Sequence, residues 1–289
     1  MRRFLLMLLA CGLLQSCATV FFQPQRALVM TPDRLGLDYQ DVYIDTPDGV
    51  RLHAWYLPAQ GEARGTVLFL HGNAENISTH IASIYWLPER QYHVLLLDYR
   101  GYGRSAGAPM LDGMVLDVEA ALAWLATRPE VEKHGMVVFG QSLGGALAVY
   151  AVAHSAHRDR IKALIIDSAF SDYRAIVREK LAEFWLTWPM QWPLSLTVDE
   201  RYSPLRAVAD ISPTPLLIIH GEHDSIVPMH HAERLYAGAN EPKTLWRIAE
   251  AGHIQALTRP EQRRRLADYL DRVFGKCIPD FTGEHCLPI

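Results

Sequence analysis

The sequence predicts an α/β fold: one mostly parallel, eight-stranded sheet with helices on both faces. Two observations predict it. Eight short apolar runs recur along the chain, and stretches of helical periodicity lie between them. Such alternation builds a layered domain with helices packed on a sheet. At 289 residues the chain has room for one large domain of this kind or two small ones.

The apolar runs are "DVYI" (41–44), "LHAWYL" (52–57), "TVLFLH" (66–71), "HVLLLD" (93–98), "GMVVFG" (135–140), "ALIIDS" (163–168), "PLLIIH" (215–220) and "TLWRIA" (244–249). From the third onward most are nearly continuous Val, Leu and Ile, as befits parallel strands buried on both faces. The first two alternate more and suit an antiparallel edge. Val115, Val118, Leu122 and Leu125 recur at three- and four-residue steps and predict a helix with one apolar face. Leu266, Tyr269, Leu270, Val273 and Phe274 predict another, with Pro260 near its start and Gly275 just past its end. Residues 172–204 break the rhythm between two strands and predict a short helical cap over the strand ends. Three tryptophans, Trp185, Trp188 and Trp192, fall within it.

Composition narrows the class. The chain is 49% hydrophobic and 21% charged with a formal charge of −4, so no basic footprint points to a nucleic-acid partner. The leader "MRRFLLMLLACGLLQS" (1–16) has two arginines, an apolar stretch and a small or polar end, the pattern of a secretory signal. It runs into "LLQSC", which resembles the lipobox of bacterial lipoproteins. That resemblance implies cleavage before Cys17 and a lipid on its thiol; cleavage near Ala18, with Cys17 lost, is the alternative. It also implies a protein lipid-anchored in the cell envelope, with Ala18 after the cysteine pointing to the outer membrane of a Gram-negative cell, facing the periplasm. Residues 17–38 then read as a lipid-anchored tether, 39–275 as the main domain and 276–289 as a tail. In an oxidising compartment Cys277 and Cys286 form a candidate disulfide, two free thiols being the other reading.

"GQSLGG" (140–145) is where the chemistry concentrates. A glycine-rich turn between strand and helix either cradles a phosphate or exposes a nucleophile. The phosphate reading lacks both G-x-x-x-x-G-K-[ST] and the first glycines of G-x-G-x-x-G. Gly140-Gln141-Ser142-Leu143-Gly144 instead matches G-x-S-x-G, a sharp elbow at which side chains two residues from the Ser would collide. A Ser hydroxyl needs a base, and the base needs a third group to orient it. "GEHDSIVP" puts Asp224 just past one strand end, and "EAGHIQ" puts His253 just past the next. Both fall on the sheet rim that carries Ser142.

With these residues in hand the sequence resembles the α/β-hydrolase superfamily from about residue 40 to 275. "LHGNAENI" (70–77), "DYRGYGRS" (98–105), "GQSLGG", "GEHDSIVP" and "AGH" (251–253) carry the resemblance. The "HGNA" form looks most like a branch of membrane-associated serine hydrolases that includes protein-depalmitoylating thioesterases, enzymes that remove palmitate. The resemblance implies the α/β-hydrolase fold, with Ser142 as nucleophile, Asp224 as acid and His253 as base. It implies an oxyanion hole formed by the backbone N–H groups of Asn73 and Leu143, and no cofactor. The expected activity is hydrolysis of a small or lipid-like carboxylic ester or thioester. A serine peptidase of the same fold and a non-catalytic ligand-binding envelope lipoprotein are the alternatives.

Other residues compete for these roles. Asp167 also ends a strand and is a second candidate acid. His220, His223, His230 and His231 cluster in sequence around Asp224, but no pair has HExxH spacing, so no metal is expected. His71 is expected to brace the oxyanion loop, and Arg100 and Ser105 to hold the loop after the fourth strand. Phe184, Trp185 and Trp188 are candidate acyl-pocket residues. Resting on a lipid surface, or packing on the domain, are the other readings of those rings.

Overall fold

The computed structural model describes residues 21–275. The leader, Cys17 and the Cys277–Cys286 pair lie outside the described residues. The sheet has eight strands: β1 (Gln40–Asp45), β2 (Arg51–Leu57), β3 (Gly65–Leu70), β4 (Tyr92–Asp98), β5 (Met136–Gln141), β6 (Ile161–Asp167), β7 (Leu216–Gly221) and β8 (Lys243–Ile248). Their spatial order is β8-β7-β6-β5-β3-β4-β2-β1. Only β2 runs against its neighbours β1 and β4; every other pairing is parallel. The two alternating runs are therefore the antiparallel edge, as their pattern predicts.

Side-chain alternation along the central strands builds two cores. Leu68, Leu70, Leu95, Leu97, Leu164 and Ile166 face one side, and Val67, Phe69, Val94, Leu96, Ala163 and Ile165 face the other. Because both sides are apolar, both need covering. Helices α1 (Leu111–Ala126) and α2 (Leu143–His154) cover the first through Val118, Leu122, Leu125, Leu147 and Val152. Two cap helices follow, α3 (Tyr173–Ala182) and α4 (Gln191–Leu196), and then α5 (His230–Gly238). The last helix, α6 (Pro260–Val273), covers the second core with Leu266, Leu270 and Val273. Pro260 opens it at N1, and Gly275 follows its end at φ +83°, a conformation glycine adopts without a Cβ penalty.

Residues 172–204 lie between β6 and β7. Asp172 caps α3, its Oδ1 accepting the Ala175 N–H at 2.8 Å. The expected tether differs from Phe21 onward. Gln23 and Pro24 pair in parallel with Ala74 and Glu75 of the loop that follows β3. Phe22 is buried, and Asn76 Nδ2 donates to the carbonyls of Gln25 at 2.9 Å and Ala27 at 2.8 Å. This segment is a strap on the folded body, held by contacts fifty residues away in sequence. No helix among the described residues is long and apolar enough to cross a membrane.

Candidate active site

Ser142 stands between β5 and α2 with φ +52° and ψ −116°, a strained backbone for a residue with a Cβ. Neighbouring glycines permit that turn. A Cβ on Gly144 would strike the Leu70 carbonyl oxygen, and one on Gly140 would strike the Gly144 carbonyl. The elbow is thus pressed against the end of β3. The loop leaving β3 passes beside it: a Cβ on Gly72 would lie 3.5 Å from Ser142 Cβ.

That loop is fixed from several sides. Tyr99 Oη donates to the His71 carbonyl at 2.9 Å, and Tyr102 Oη to the Asn73 carbonyl at 2.8 Å. Asn73 Nδ2 donates to the Phe21 carbonyl of the strap at 2.6 Å. With its carbonyl and side chain so engaged, Asn73 leaves its backbone N–H as the group on offer. The Leu143 N–H opens α2, where helix geometry supplies no intrahelical acceptor and the dipole is positive. His71 Nδ1 pairs with the Gly72 carbonyl at 2.8 Å, while Nε2 lies 3.4 Å from buried Asp98. His71 is entirely buried, so it braces this loop and does not face solvent.

Asp224 follows β7 and His253 follows β8. Asp224 Oδ2 lies 2.8 Å from His253 Nδ1, and its Oδ1 accepts the N–H groups of Ile226 at 2.9 Å and Val227 at 2.8 Å. Burial pushes the Asp224 carboxyl upward, but the hydrogen bond and charge of His253 and those two N–H groups outweigh it. The group ends below its ordinary value. The carboxylate side chain is fully enclosed, whereas His253 keeps 15% of its side chain exposed. The ring therefore has a solvent-facing side opposite an anchored one. The two loops are joined by His223 N–H to the Ala251 carbonyl at 3.0 Å. Neither the Ser142 hydroxyl nor His253 Nε2 has a hydrogen-bond partner among the described residues.

The serine aminopeptidase S33 family profile matches residues 61–206, a span that includes the elbow and the loop after β3. The chain belongs to that family. Among relatives, it is 37% identical over 223 residues to the uncharacterized protein YfhR of Escherichia coli O157:H7, covering 76% of this chain and 75% of that one. It is 35% identical over 219 residues to the α/β-hydrolase domain-containing protein WAV2 of Arabidopsis thaliana, covering 73% and 70%. Among solved structures, the Pyrococcus furiosus esterase Pf2001 matches with a TM-score of 0.71 at 25% identity, covering 88% of this chain and 99% of the esterase. The α/β-hydrolase fold expected from sequence is the fold observed.

Within this S33 member the other candidate acid is engaged elsewhere. Asp167 accepts Gln141 Nε2 at 2.9 Å and Ser168 Oγ at 3.1 Å. Burial raises its carboxyl to about 6. His253 pairs with Asp224, not Asp167. Ser168, which sequence reasoning passed over, stands at φ +57°, and its Oγ accepts the Ile254 N–H at 3.0 Å. It thereby ties the end of β6 to the residue after His253. Serine in a left-handed turn has no distinctive sequence signal.

The histidines divide. His220 Nε2 donates to the Val227 carbonyl at 2.8 Å, and burial holds the ring below its ordinary value, so it is neutral and internal. His223 is exposed. Glu179 of α3 meets His230 Nε2 and His231 Nε2, each at 3.1 Å, the one grouping among the described residues with metal-binding proximity. The Ser171 N–H donates to His231 Nδ1 at 3.1 Å, which leaves the neutral ring's proton on Nε2, aimed at Glu179. That tautomer suits a hydrogen-bonded latch between cap and α5 and does not suit a metal ligand.

Arg100 and Ser105 hold the loop after β4, as expected. Arg100 donates from Nε to Asp117 at 2.9 Å and through Nη1 to Asp48 at 2.7 Å, and Ser105 Oγ donates to the Asp98 carbonyl at 2.6 Å. The candidate pocket rings are a different matter. Phe184 and Trp188 are exposed, and Trp185 is 77% exposed. They do not form an enclosed acyl pocket in this structure.

Proposed function

We propose that the protein is a serine hydrolase that cleaves carboxylic esters or thioesters through an acyl-enzyme on Ser142. The observation that carries this reading is the 2.8 Å contact between Asp224 and His253, on the same sheet rim as the strained Ser142 elbow. The Ser142 hydroxyl attacks the acyl carbonyl while His253 Nε2 takes its proton. Asp224 keeps the other imidazole proton on Nδ1 and stabilises the imidazolium. The N–H groups of Asn73 and Leu143 receive the oxyanion of the tetrahedral intermediate. Donors of this type each contribute about 3–4 kcal/mol to the transition state. Collapse expels the alcohol or thiol, which leaves with the proton from His253. Water then gives a proton to His253, attacks the acyl-enzyme and releases the acid and the Ser142 hydroxyl.

The same reading includes a location. The leader at 1–16 directs export, a lipid on Cys17 anchors the chain in the cell envelope, and in a Gram-negative cell the domain faces the periplasm from the outer membrane. The test of the chemistry is a substrate panel of acyl esters, acyl thioesters and aminoacyl amides of graded chain length, run beside Ser142→Ala. Turnover of esters or thioesters that disappears in Ser142→Ala is the expected result. Preference for aminoacyl amides would move the assignment to a peptidase, and no turnover by folded protein would leave a binding function.

A further inference from the structure

The cap contains a surface that the hydrolytic reading does not use. From 184 to 198 the sequence "FWLTWPMQWPLSLTV" has no charged residue. In a soluble fold such a stretch is normally buried, yet here Trp192 is 60% exposed and Leu196 63% exposed, alongside Trp185, Leu186 and Trp188. A cluster of this size marks a surface that meets something else.

We infer that this outer face of the cap docks on a phospholipid bilayer, at the boundary between headgroups and acyl chains. Indole suits that boundary because its body is apolar and its N–H is polar. None of the indole N–H groups of Trp185, Trp188 and Trp192 donates to a protein acceptor among the described residues, which leaves all three for water and headgroup oxygens. Arg178 lies over the Trp192 ring with 4.3 Å to its centroid, so its cation borders the apolar face in the way long basic chains do at membrane surfaces.

Chain geometry supplies the reason to choose a bilayer. The docking surface rests on the lipid-anchor reading of Cys17 for its orientation. Cys17 precedes Phe21 by four residues, and four extended residues span at most about 14 Å. The Phe21 ring lies 6.4 Å from that of Tyr173, in the first turn of α3. From there α3, ten residues long, covers about 15 Å to the start of the exposed stretch. A lipid on Cys17 therefore holds the membrane within reach of the cap and not at the far end of a loose tether. Lys180 Nζ donates to the Ser225 carbonyl at 3.2 Å, and Glu179 latches onto α5, so the cap is fastened beside the Asp224 loop. Docking would bring the mouth of the site to the lipid surface, where long-chain acyl substrates partition.

The electrostatics fix the kind of lipid. Residues 172–204 carry four basic and five acidic side chains, so the face has no net positive charge to draw it to anionic headgroups. Attachment rests on apolar burial, and zwitterionic lipid suffices. Residues 1–20 contain no tryptophan, Trp55, Trp86 and Trp246 are buried, and Trp124 is half-buried on α1 under Arg128. The part of the bilayer quenching that disappears when the three cap tryptophans are replaced therefore reports on the cap.

The experiment reconstitutes the full-length protein in phosphatidylcholine vesicles with or without bromine on the acyl chains. It is repeated with Trp185→Ser, Trp188→Ser and Trp192→Ser combined, whose fold is checked by circular dichroism and thermal melting. The wild type should show strong quenching that persists from low to high salt, and the triple variant should lose most of it. Equal quenching in the two proteins, or none in membrane-bound wild type, would overturn the proposal. So would a wild type that dimerises through this face and is left unquenched, since a second copy would then be the occupant. The readout needs no turnover, so an inactive enzyme leaves the result intact. Running Cys17→Ser in parallel separates the two membrane contacts. If it partitions as wild type does and is still quenched, the anchor reading falls and the cap surface stands.

Discussion

Asp167 and Asp224 lie at the ends of neighbouring strands, and the balance of forces on each has the opposite sign. Asp224 is held below its ordinary 3.8 because His253 and two backbone N–H groups offset the cost of burial. Its contribution to stability is present above the unfolded value and is lost as pH falls through the folded one. Burial dominates at Asp167, whose carboxyl has Gln141 and Ser168 as hydrogen-bond partners among the described residues, and it rises to about 6. The folded state binds that proton more tightly, so stability is lost as pH rises from about 4 through 6. Asp167→Asn removes this term. Relative to wild type it should gain up to about 3 kcal/mol at neutral pH, with the gain fading toward pH 4. Parallel melting curves at every pH would contradict the assignment. Asp224→Asn should fold normally but lose about 10³–10⁴ in kcat with little change in KM, because an amide facing Nδ1 forces the wrong imidazole tautomer. Steady-state kinetics on any accepted ester decides this. Asp224 was legible in sequence because it follows a strand and precedes His253 by the right strand spacing. Ser168 was not, because its role comes from a backbone angle and a contact 86 residues away.

At the scale of elements, the strap and the loop after β3 act as one unit. Asn76 links them: its Nδ2 holds the carbonyls of Gln25 and Ala27, and its Oδ1 accepts the Ser78 N–H at 2.9 Å to cap the next helical turn. Asn76→Ala leaves the Ala27 carbonyl and the Ser78 N–H without partners, and leaves the Gln25 carbonyl with the Gly103 N–H at 2.9 Å as its remaining donor; it should cost about 2–3 kcal/mol. Because Asn73 is held through the same strap, kcat should fall with it while KM changes less. Chemical denaturation and kinetics on one preparation test both; an unchanged kcat in a destabilised variant would show the strap to be structural alone. The central strands and α1, α2 and α6 were readable because periodicity and apolar runs are local signals. The strap was not, because a two-residue pairing between 23–24 and 74–75 leaves no pattern in either segment. "LHGNAENI" contained Asn76 in plain view, but its partners come from a stretch that reads as linker.

For the whole molecule, a doubly covered sheet brings the residues after β3, β5, β7 and β8 to one rim, where open α/β sheets bind their ligands. Chain order therefore carried most of the candidate site: each piece follows its own strand, and parallel pairing does the rest. The cap was located by sequence, yet its exposure was not. Three tryptophans in eight positions fit core, pocket or surface equally until burial is known. The central claim is that the elbow serine forms the covalent intermediate, and a fluorophosphonate probe followed by peptide mass spectrometry tests it most directly. The account predicts one adduct on Ser142, absent from Ser142→Ala. A folded wild type that remains unlabelled, or carries its adduct on another residue, would contradict it.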